Sequence, residues 1–311
     1  MKIAFVFPGQ GSQSVGMMKA YADHPAVQAT FEEASGVLGQ DLWALVAQGP
    51  EEDLDLTINT QPAMLTASVA VWRAWLASGG PQPVVVAGHS LGEYAALVAS
   101  GALAFADAVP LVRYRAQSMQ EAVPPGQGAM AAVLGADDTA VAAACAEAAQ
   151  GQVVEPVNYN APGQLVIAGD REAVERAMVA VKAKGARRAV MLPVSAPFHS
   201  SLLKPAAAKL AQRLQSVPFA LPSIPVIHNV DVAEHATADE IRAALAAQAA
   251  SPVRWTQTIQ AFKARGVTHV VECGPGKVLS NLVKRIDESL ESISLSSGSM
   301  LDDARVQLGV A

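Results

Sequence analysis

The stretch Pro83-Val84-Val85-Val86-Ala87-Gly88-His89-Ser90-Leu91-Gly92-Glu93-Tyr94-Ala95-Ala96-Leu97-Val98-Ala99-Ser100-Gly101 decides the fold. Pro83–Ala87 is a short apolar, β-branched run, the pattern of a strand buried on both faces of a parallel sheet. Leu91–Ser100 reads as an apolar helix, stopped by Gly101 just past its end. Between them Gly88 and Gly92 flank Ser90. A turn that passes at once from strand to helix needs small residues on either side of its apex, and it lifts the serine hydroxyl clear of the sheet. The N–H of Leu91 then points at the oxyanion of whatever carbonyl that hydroxyl attacks. A glycine-rich helix start capped by Ser90 is the plainer alternative; the preceding strand favours a nucleophile.

The same alternation continues outward. Ile3–Phe7 is a buried strand that ends in the loop Pro8-Gly9-Gln10-Gly11-Ser12-Gln13. Helical patterns follow around 25–38 and 61–78, and a helix capped by Asp107 carries Pro110 in its first turn. Past Pro124-Pro125-Gly126-Gln127-Gly128 the rhythm changes. A strand at 129–134, a helix at 137–150, strands at 153–159 and 164–168, a helix at 170–184 and a strand at 187–194 give β-α-β-β-α-β, the ferredoxin-like order. The original rhythm resumes with a helix at 201–216, a strand at 224–228, helices at 239–249 and 256–265, a strand at 267–271 and a closing helix. The serine-rich Ser292–Ser299 reads as a loose lead-in to the tail. The expected fold class is α/β: a hydrolase-like, mostly parallel sheet flanked by helices, with an inserted ferredoxin-like domain. Residues 1–126 and 197–311 form the large domain and 127–196 the insertion.

Composition bounds the function. The 311 residues are 51% hydrophobic and 16% charged, so a sizeable core is buried and wholesale disorder is excluded. A net charge of −6 argues against nucleic-acid or membrane-surface binding, which needs a basic face. Cys145 and Cys273 stand far apart and make neither a disulfide framework nor a zinc site, which suits a reducing cytoplasm. No apolar run is long enough for a signal peptide or a membrane span.

A serine nucleophile needs a base. Of the six histidines, His24 and His235 read as exposed loop residues, and His228 and His269 as core or edge residues of strands. His89 faces away within its tight turn. His199, in Ser195-Ala196-Pro197-Phe198-His199-Ser200, lies where the insertion returns to the large domain; it is the candidate base, at the rim of a cleft. Asp137, Asp138 and Asp170 sit at helix starts, where capping explains them, and no free carboxylate stands at a strand end. That points to a Ser–His dyad whose imidazole is oriented by a backbone carbonyl. Arg115 shares an i, i+4 line with Leu111 and Met119, while Arg113 faces solvent about 200° away. A guanidinium on an apolar line needs a partner. Two partners fit: a structural ion pair, or a substrate carboxylate gripped by the arginine fork. The Gly9-Gln10-Gly11 loop lacks the third glycine of a dinucleotide fingerprint, no P-loop ending is present, and no His-Glu-x-x-His zinc motif occurs.

Together these residues resemble the malonyl-CoA:acyl carrier protein transacylases, the loading enzymes of bacterial type II fatty-acid synthesis. The resemblance runs through Phe7-Pro8-Gly9-Gln10-Gly11-Ser12-Gln13, Gly88-His89-Ser90-Leu91-Gly92-Glu93-Tyr94, Arg115 ahead of Met119-Gln120, and Gly128-Ala129-Met130. It continues through Asn158-Tyr159-Asn160-Ala161-Pro162-Gly163-Gln164, Pro197-Phe198-His199 and Glu272-Cys273-Gly274-Pro275-Gly276-Lys277. It implies that Ser90 is acylated, that His199 is its base, and that the amides of Gln10 and Leu91 form the oxyanion hole. By the same resemblance Arg115 holds the malonyl carboxylate, the carbonyl of Gln248 orients His199, and Asn160 and Phe198 line the pocket. Phe198 before the histidine goes with unbranched malonyl. The Gln248 segment departs from the family in having Ser251 ahead of Pro252-Val253 where asparagine is usual.

The implied substrates are malonyl-CoA and the phosphopantetheine thiol of acyl carrier protein, with no cofactor bound and a monomer as the working unit. The carrier is acidic, so docking would use a local basic patch, with Lys182, Lys184, Arg187, Arg188, Lys204, Lys209 and Arg213 as candidates or ordinary solvated residues. A free-standing acyltransferase of a polyketide synthase shares every motif. A thioesterase-type α/β hydrolase is disfavoured by the missing acid, the insertion and Arg115. A carrier-binding scaffold with a dead site would form no adduct on Ser90.

Overall fold

The computed structural model describes residues 1–194 and 196–309; Ser195 of the histidine-bearing motif lies outside the described residues. Its first sheet joins β1 (Ile3–Phe7), β2 (Val85–Gly88), β7 (Val226–Ile227), β8 (His269–Glu272) and β9 (Glu291–Ser294) in the order β7-β2-β1-β8-β9, every pairing parallel. β1 is central and buried along its whole length, as its unbroken apolar run requires. Alternation puts Phe5 and Phe7 into one core, where Phe5 meets the rings of Trp72 and Trp75 at 5.3 and 5.5 Å. Ala4 and Val6 face a second core built around Trp255, Ile259 and Phe262.

The second sheet joins β3 (Gly128–Leu134), β4 (Val154–Ala161), β5 (Gln164–Asp170) and β6 (Arg188–Met191) in the order β4-β5-β3-β6, all antiparallel. Helices Asp138–Ala149 and Arg171–Ala183 complete the β-α-β-β-α-β succession, and Asp137 caps the first by accepting from the Ala140 amide at 2.7 Å. The two sheets are tied where β4 meets the other part of the chain: Val253 N donates to Val157 O at 2.8 Å and Tyr159 N to Val253 O at 2.9 Å. A Cβ on Gly128 would sit 2.4 Å from Pro197, so the chain enters and leaves the second sheet through adjoining residues.

Several elements differ from the sequence expectation. The serine-rich segment is not loose: Glu291–Ser294 is the edge strand β9, and helix Ser299–Gln307 follows. Polar residues serve at this edge because the Ser292 and Ser294 hydroxyls donate to the carbonyls of Ser280 and Gly276. Helices Leu42–Gln48 and Glu51–Asp55 are additional, both too short to show a helical period. The Arg115 helix runs Phe105–Glu121 with Ala104 at its N-cap, so Asp107 lies in the first turn and Pro110 deeper in the helix than expected. Helix Thr57–Ala77 likewise starts before Pro62, which it accommodates internally. Among the described residues no helix is long and apolar enough to cross a membrane.

Candidate active site

The turn after β2 carries Ser90 at φ 53°, in the left-handed region that most residues avoid. The residues two places to either side of it, Gly88 and Gly92, have no room for a side chain. A Cβ on Gly88 would fall 1.9 Å from the Gly92 backbone, and one on Gly92 would fall 2.0 Å from the Phe7 carbonyl oxygen. The Ser90 amide donates to Oδ1 of Asn229 at 2.7 Å, and Asn229 Nδ2 donates to Gly88 O at 2.7 Å, which clamps the turn from below.

His199 is also held at positive φ, 67°, and is buried. Its Nε2 lies 2.7 Å from Ser90 Oγ and its Nδ1 lies 2.8 Å from the backbone oxygen of Gln248. A carbonyl only accepts, so Nδ1 carries the hydrogen and the Nε2 lone pair is left to accept from the serine hydroxyl. Burial, and then the Arg115 cation, push the His199 pKa down to about 3. The imidazole is therefore neutral and ready as a base.

Arg115 is buried, 2% exposed, on the expected face of its helix. Of its two possible partners the structural ion pair is absent: among the described residues no carboxylate lies within ion-pair reach of Arg115. Instead Nη1 donates to Gln61 Oε1 at 2.8 Å, and Nη2 donates to Gln248 Oε1 at 2.9 Å and Ser90 Oγ at 3.2 Å. Its guanidinium carbon stands 5.5 Å from the centre of the Tyr94 ring. Its direct hydrogen-bond partners are all neutral, which leaves the guanidinium free to take an anion as well. Arg113, expected in solvent, is half-buried and donates to Gln40.

Ser90, His199 and Arg115 share one small cavity of about 110 Å³ whose walls include Gln10, Leu91, Phe198, Met130 and Asn158. That is far below the roughly 300–1,000 Å³ of drug-sized sites, a size that suits a small group. Asn160 is not on this wall. It lines an adjoining cavity of about 250 Å³, which shares Gln10, His89, Asn158 and Leu192 with the first, and its Oδ1 lies 2.8 Å from His89 Nε2. The His89 ring lies against that of Trp255 at 5.3 Å, while the residue also lines the serine's cavity.

Several residues in and around the site escaped the sequence reading. Gln61 lies on a helix buried over much of its length, where nothing in the spacing marks it. Glu93 stands one place beyond the Gly-x-Ser-x-Gly pattern and is fully buried. His228 and Asn229 follow the two-residue strand β7, too short to aim side chains by pattern alone. Glu272 is a carboxylate at a strand end, contrary to expectation. Both its oxygens are engaged, accepting the Leu279 and Ser280 amides at 3.0 and 2.7 Å. His24 and His235 are half-buried rather than exposed, and the His235 ring packs 4.6 Å from that of His228. No cluster of metal-ligating side chains occurs among the described residues.

The acyl transferase domain family matches residues 4–301. A malonyl CoA-acyl carrier protein transacylase from Escherichia coli K12 is 56% identical over 301 residues, 96% of this chain and 97% of that protein. A solved acyl-carrier-protein S-malonyltransferase from Burkholderia pseudomallei superposes with a TM-score of 0.97 at 58% identity, over 98% of this chain and 99% of that one. A malonyl-transacylase solved in complex with a type II polyketide acyl-carrier protein gives a TM-score of 0.98 at 52% identity, over 99% and 100%.

Proposed function

Because the chain belongs to the acyl transferase family, and because a buried arginine with no carboxylate of its own touches the nucleophile, we propose that it carries malonyl from coenzyme A to the phosphopantetheine thiol of acyl carrier protein. The single observation that carries this reading is the Arg115–Ser90 contact: a cation open to an anion, set beside the attacking oxygen.

The reaction has two matching halves. Ser90 Oγ attacks the thioester carbon while His199 Nε2 takes its proton, and the amides of Gln10 and Leu91 receive the oxyanion. The imidazolium, steadied through Nδ1 by the Gln248 carbonyl, protonates the departing CoA sulfur and leaves a malonyl-serine ester. The phosphopantetheine thiol then gives its proton to His199, attacks the ester and departs with malonyl as a new thioester, and Ser90 recovers its proton. Arg115 holds the carboxylate throughout. Bound malonate also neutralises Arg115, the second cause of the depressed His199 pKa, so the donor strengthens the base that must act on it. Phe198 bounds the cavity against bulkier groups, and Asn160 serves the outer cavity through which the thioester arm reaches Ser90.

We take residues 1–126 and 197–311 as the catalytic unit and 127–196 as an insertion that supplies Met130, Asn158, Leu192 and Val194 to the cavity wall. The resulting cleft shields the ester from water. Nucleophile, base and cation all come from one chain, which supports a monomer as the working unit, in the cytoplasm where CoA thioesters and carrier protein meet, with no cofactor of its own. Intact-mass spectrometry after mixing with malonyl-CoA tests the reading: one malonyl adduct is expected, absent from Ser90→Ala. An adduct that persists in Ser90→Ala, or rapid malonyl-CoA hydrolysis without carrier, would overturn it.

A second reading has support from the relative solved with a polyketide carrier: the same transfer, serving a polyketide synthase. Comparing transfer rates to a fatty-acid carrier and a polyketide carrier separates the two.

A further inference from the structure

One buried carboxylate beside the site is unused by the steps above. Glu93 is fully buried. Its Oε1 lies 2.7 Å from His228 Nδ1, and its Oε2 accepts from the Asn229 amide at 2.9 Å and from Gln248 Nε2 at 3.0 Å. Gln248, equally buried, touches His199, Arg115 and the backbone of Ser90. Its backbone oxygen accepts from His199, its Oε1 accepts from Arg115, and its Nε2 donates to the Ser90 carbonyl at 2.9 Å as well as to Glu93. An amide can face either way. Here an acceptor-only carboxylate at Nε2 admits one orientation, the one that turns Oε1 toward Arg115. The negative charge of Glu93 also favours the charged form of Arg115 against the cost of burial.

We propose that Glu93 is a positioning residue for acyl transfer, acting through Gln248 to hold His199, Ser90 and Arg115 in register. The acid that a hydrolase triad places directly on the imidazole stands here one amide further back, with His228 and the Asn229 amide fixing it from behind. The proposal rests on the malonyl-transfer reading of the site.

The test is the rate of Ser90 acylation in a rapid-quench, intact-mass assay with malonyl-CoA and, separately, acetyl-CoA. Glu93→Gln keeps the shape but removes the acceptor-only group. It is expected to slow acylation about tenfold to hundredfold with acetyl-CoA, with KM for that donor little changed, and at least as much with malonyl-CoA, whose contact with Arg115 it also loosens. Gln248→Ala, which leaves the backbone carbonyl in place, is expected to slow both donors too. The double variant should be no slower than the slower single, because the two residues act as one unit.

Acylation within twofold of wild type in either variant overturns the proposal. So does a Glu93→Gln loss confined to malonyl, or losses that multiply in the double variant. If thermal melting shows Glu93→Gln to be unfolded, Gln248→Ala decides alone. A wild-type chain that forms no adduct would overturn the transfer reading and this proposal with it. A wild-type adduct with unimpaired variants overturns this proposal only.

Discussion

The Arg115 guanidinium and the Ser90 hydroxyl are in direct hydrogen-bond contact, Nη2 to Oγ at 3.2 Å. On the proposed reading the cation and the nucleophile act on the two ends of one short substrate, a three-carbon diacid unit. Arg115→Ala should lower the rate of Ser90 acylation by malonyl-CoA about tenfold to hundredfold. That is the value of a charged hydrogen bond, about 1.5–3 kcal/mol, at about 1.4 kcal/mol per factor of ten. Acetyl-CoA has no carboxylate to lose, so its use relative to malonyl-CoA should rise. Parallel acylation time courses with the two donors check this; an equal fall in both would remove the clamp role.

The elbow depends on close backbone approach as much as on chemistry. A methyl at Gly92 would lie 2.0 Å from the Phe7 carbonyl oxygen and 2.9 Å from that of Pro8, and no flexible side chain can yield there. Gly92→Ala must therefore shift β1 or the turn. Overpacking of this kind costs about 1–3 kcal/mol, and about 2–4 °C of Tm accompanies each kcal/mol. Thermal melting should show a fall of about 3–10 °C, with acylation reduced at least about tenfold although Ser90 and His199 are unchanged. Wild-type melting and wild-type acylation together would show that the turn has slack.

What was legible in the sequence was what chain proximity carries. Strand, turn, serine and helix are contiguous in 83–101, and the apolar run of β1 and the period of the Arg115 helix each lie within one element. The bond from His199 to a backbone carbonyl agrees with the expectation, but the elimination of acids behind it overlooked Glu272, at a strand end, and the buried Glu93. The partners of Arg115 were not readable. Gln61 and Gln248 reach it from elements far apart in the chain, and a glutamine carries no signal of its own. Glu93 passed unnoticed because a carboxylate at the start of a helix is ordinarily explained by the helix itself. β9 was missed because an edge strand can be held by backbone bonds and serine hydroxyls, without the apolar run that marks β1.

The pH dependence of acylation should be unusual for a histidine base. An ordinary imidazole protonates near pH 6.5, and loss of base catalysis would begin there. Burial and Arg115 push the His199 pKa down to about 3, so its neutral form persists as pH falls through 6.5. The kcat/KM for acylation should stay flat from pH 8 to about 5, checked by rapid quench in a constant-ionic-strength buffer series. A half-fall near pH 6.5 would place His199 in a far more solvated setting. In Arg115→Gln the acid limb should move upward, since the second cause of the depression is gone.

The basic residues proposed for carrier docking now separate into two groups. Lys184 pairs with Glu147 at 3.0 Å, Lys209 with Glu121 at 3.0 Å, and Arg213 lies over the Tyr114 ring. Lys182, Arg187, Arg188 and Lys204 are exposed and make no ion pair among the described residues. Their charge is available to an acidic partner, and Arg188 opens the strand that leads to Leu192 and Val194 on the cavity wall. Arg188→Glu with Lys204→Glu should slow transfer to the carrier at least about tenfold at low salt, an effect that fades as salt screens the pair of surfaces. Acylation by malonyl-CoA should be unchanged, and a loss in both half-reactions would remove the docking role.

On the proposed reading Phe198 limits the width of the site. The residue, 9% exposed, lines a cavity of only about 110 Å³ beside the His199 that it precedes. A methyl branch on the acyl group would have to displace it. One methyl discriminated by packing corresponds to about 1–3 kcal/mol. Phe198→Ala should therefore raise acylation by methylmalonyl-CoA relative to malonyl-CoA at least about tenfold. Malonyl itself keeps its grip on Arg115 and should lose less. The enlarged cavity also admits water to the malonyl-serine ester, so the adduct should decay faster when no carrier is present, visible as a shortened lifetime by intact mass. Unchanged selectivity with an unchanged lifetime would mean that the wall opposite, at Met130 or Val194, limits the acyl group instead.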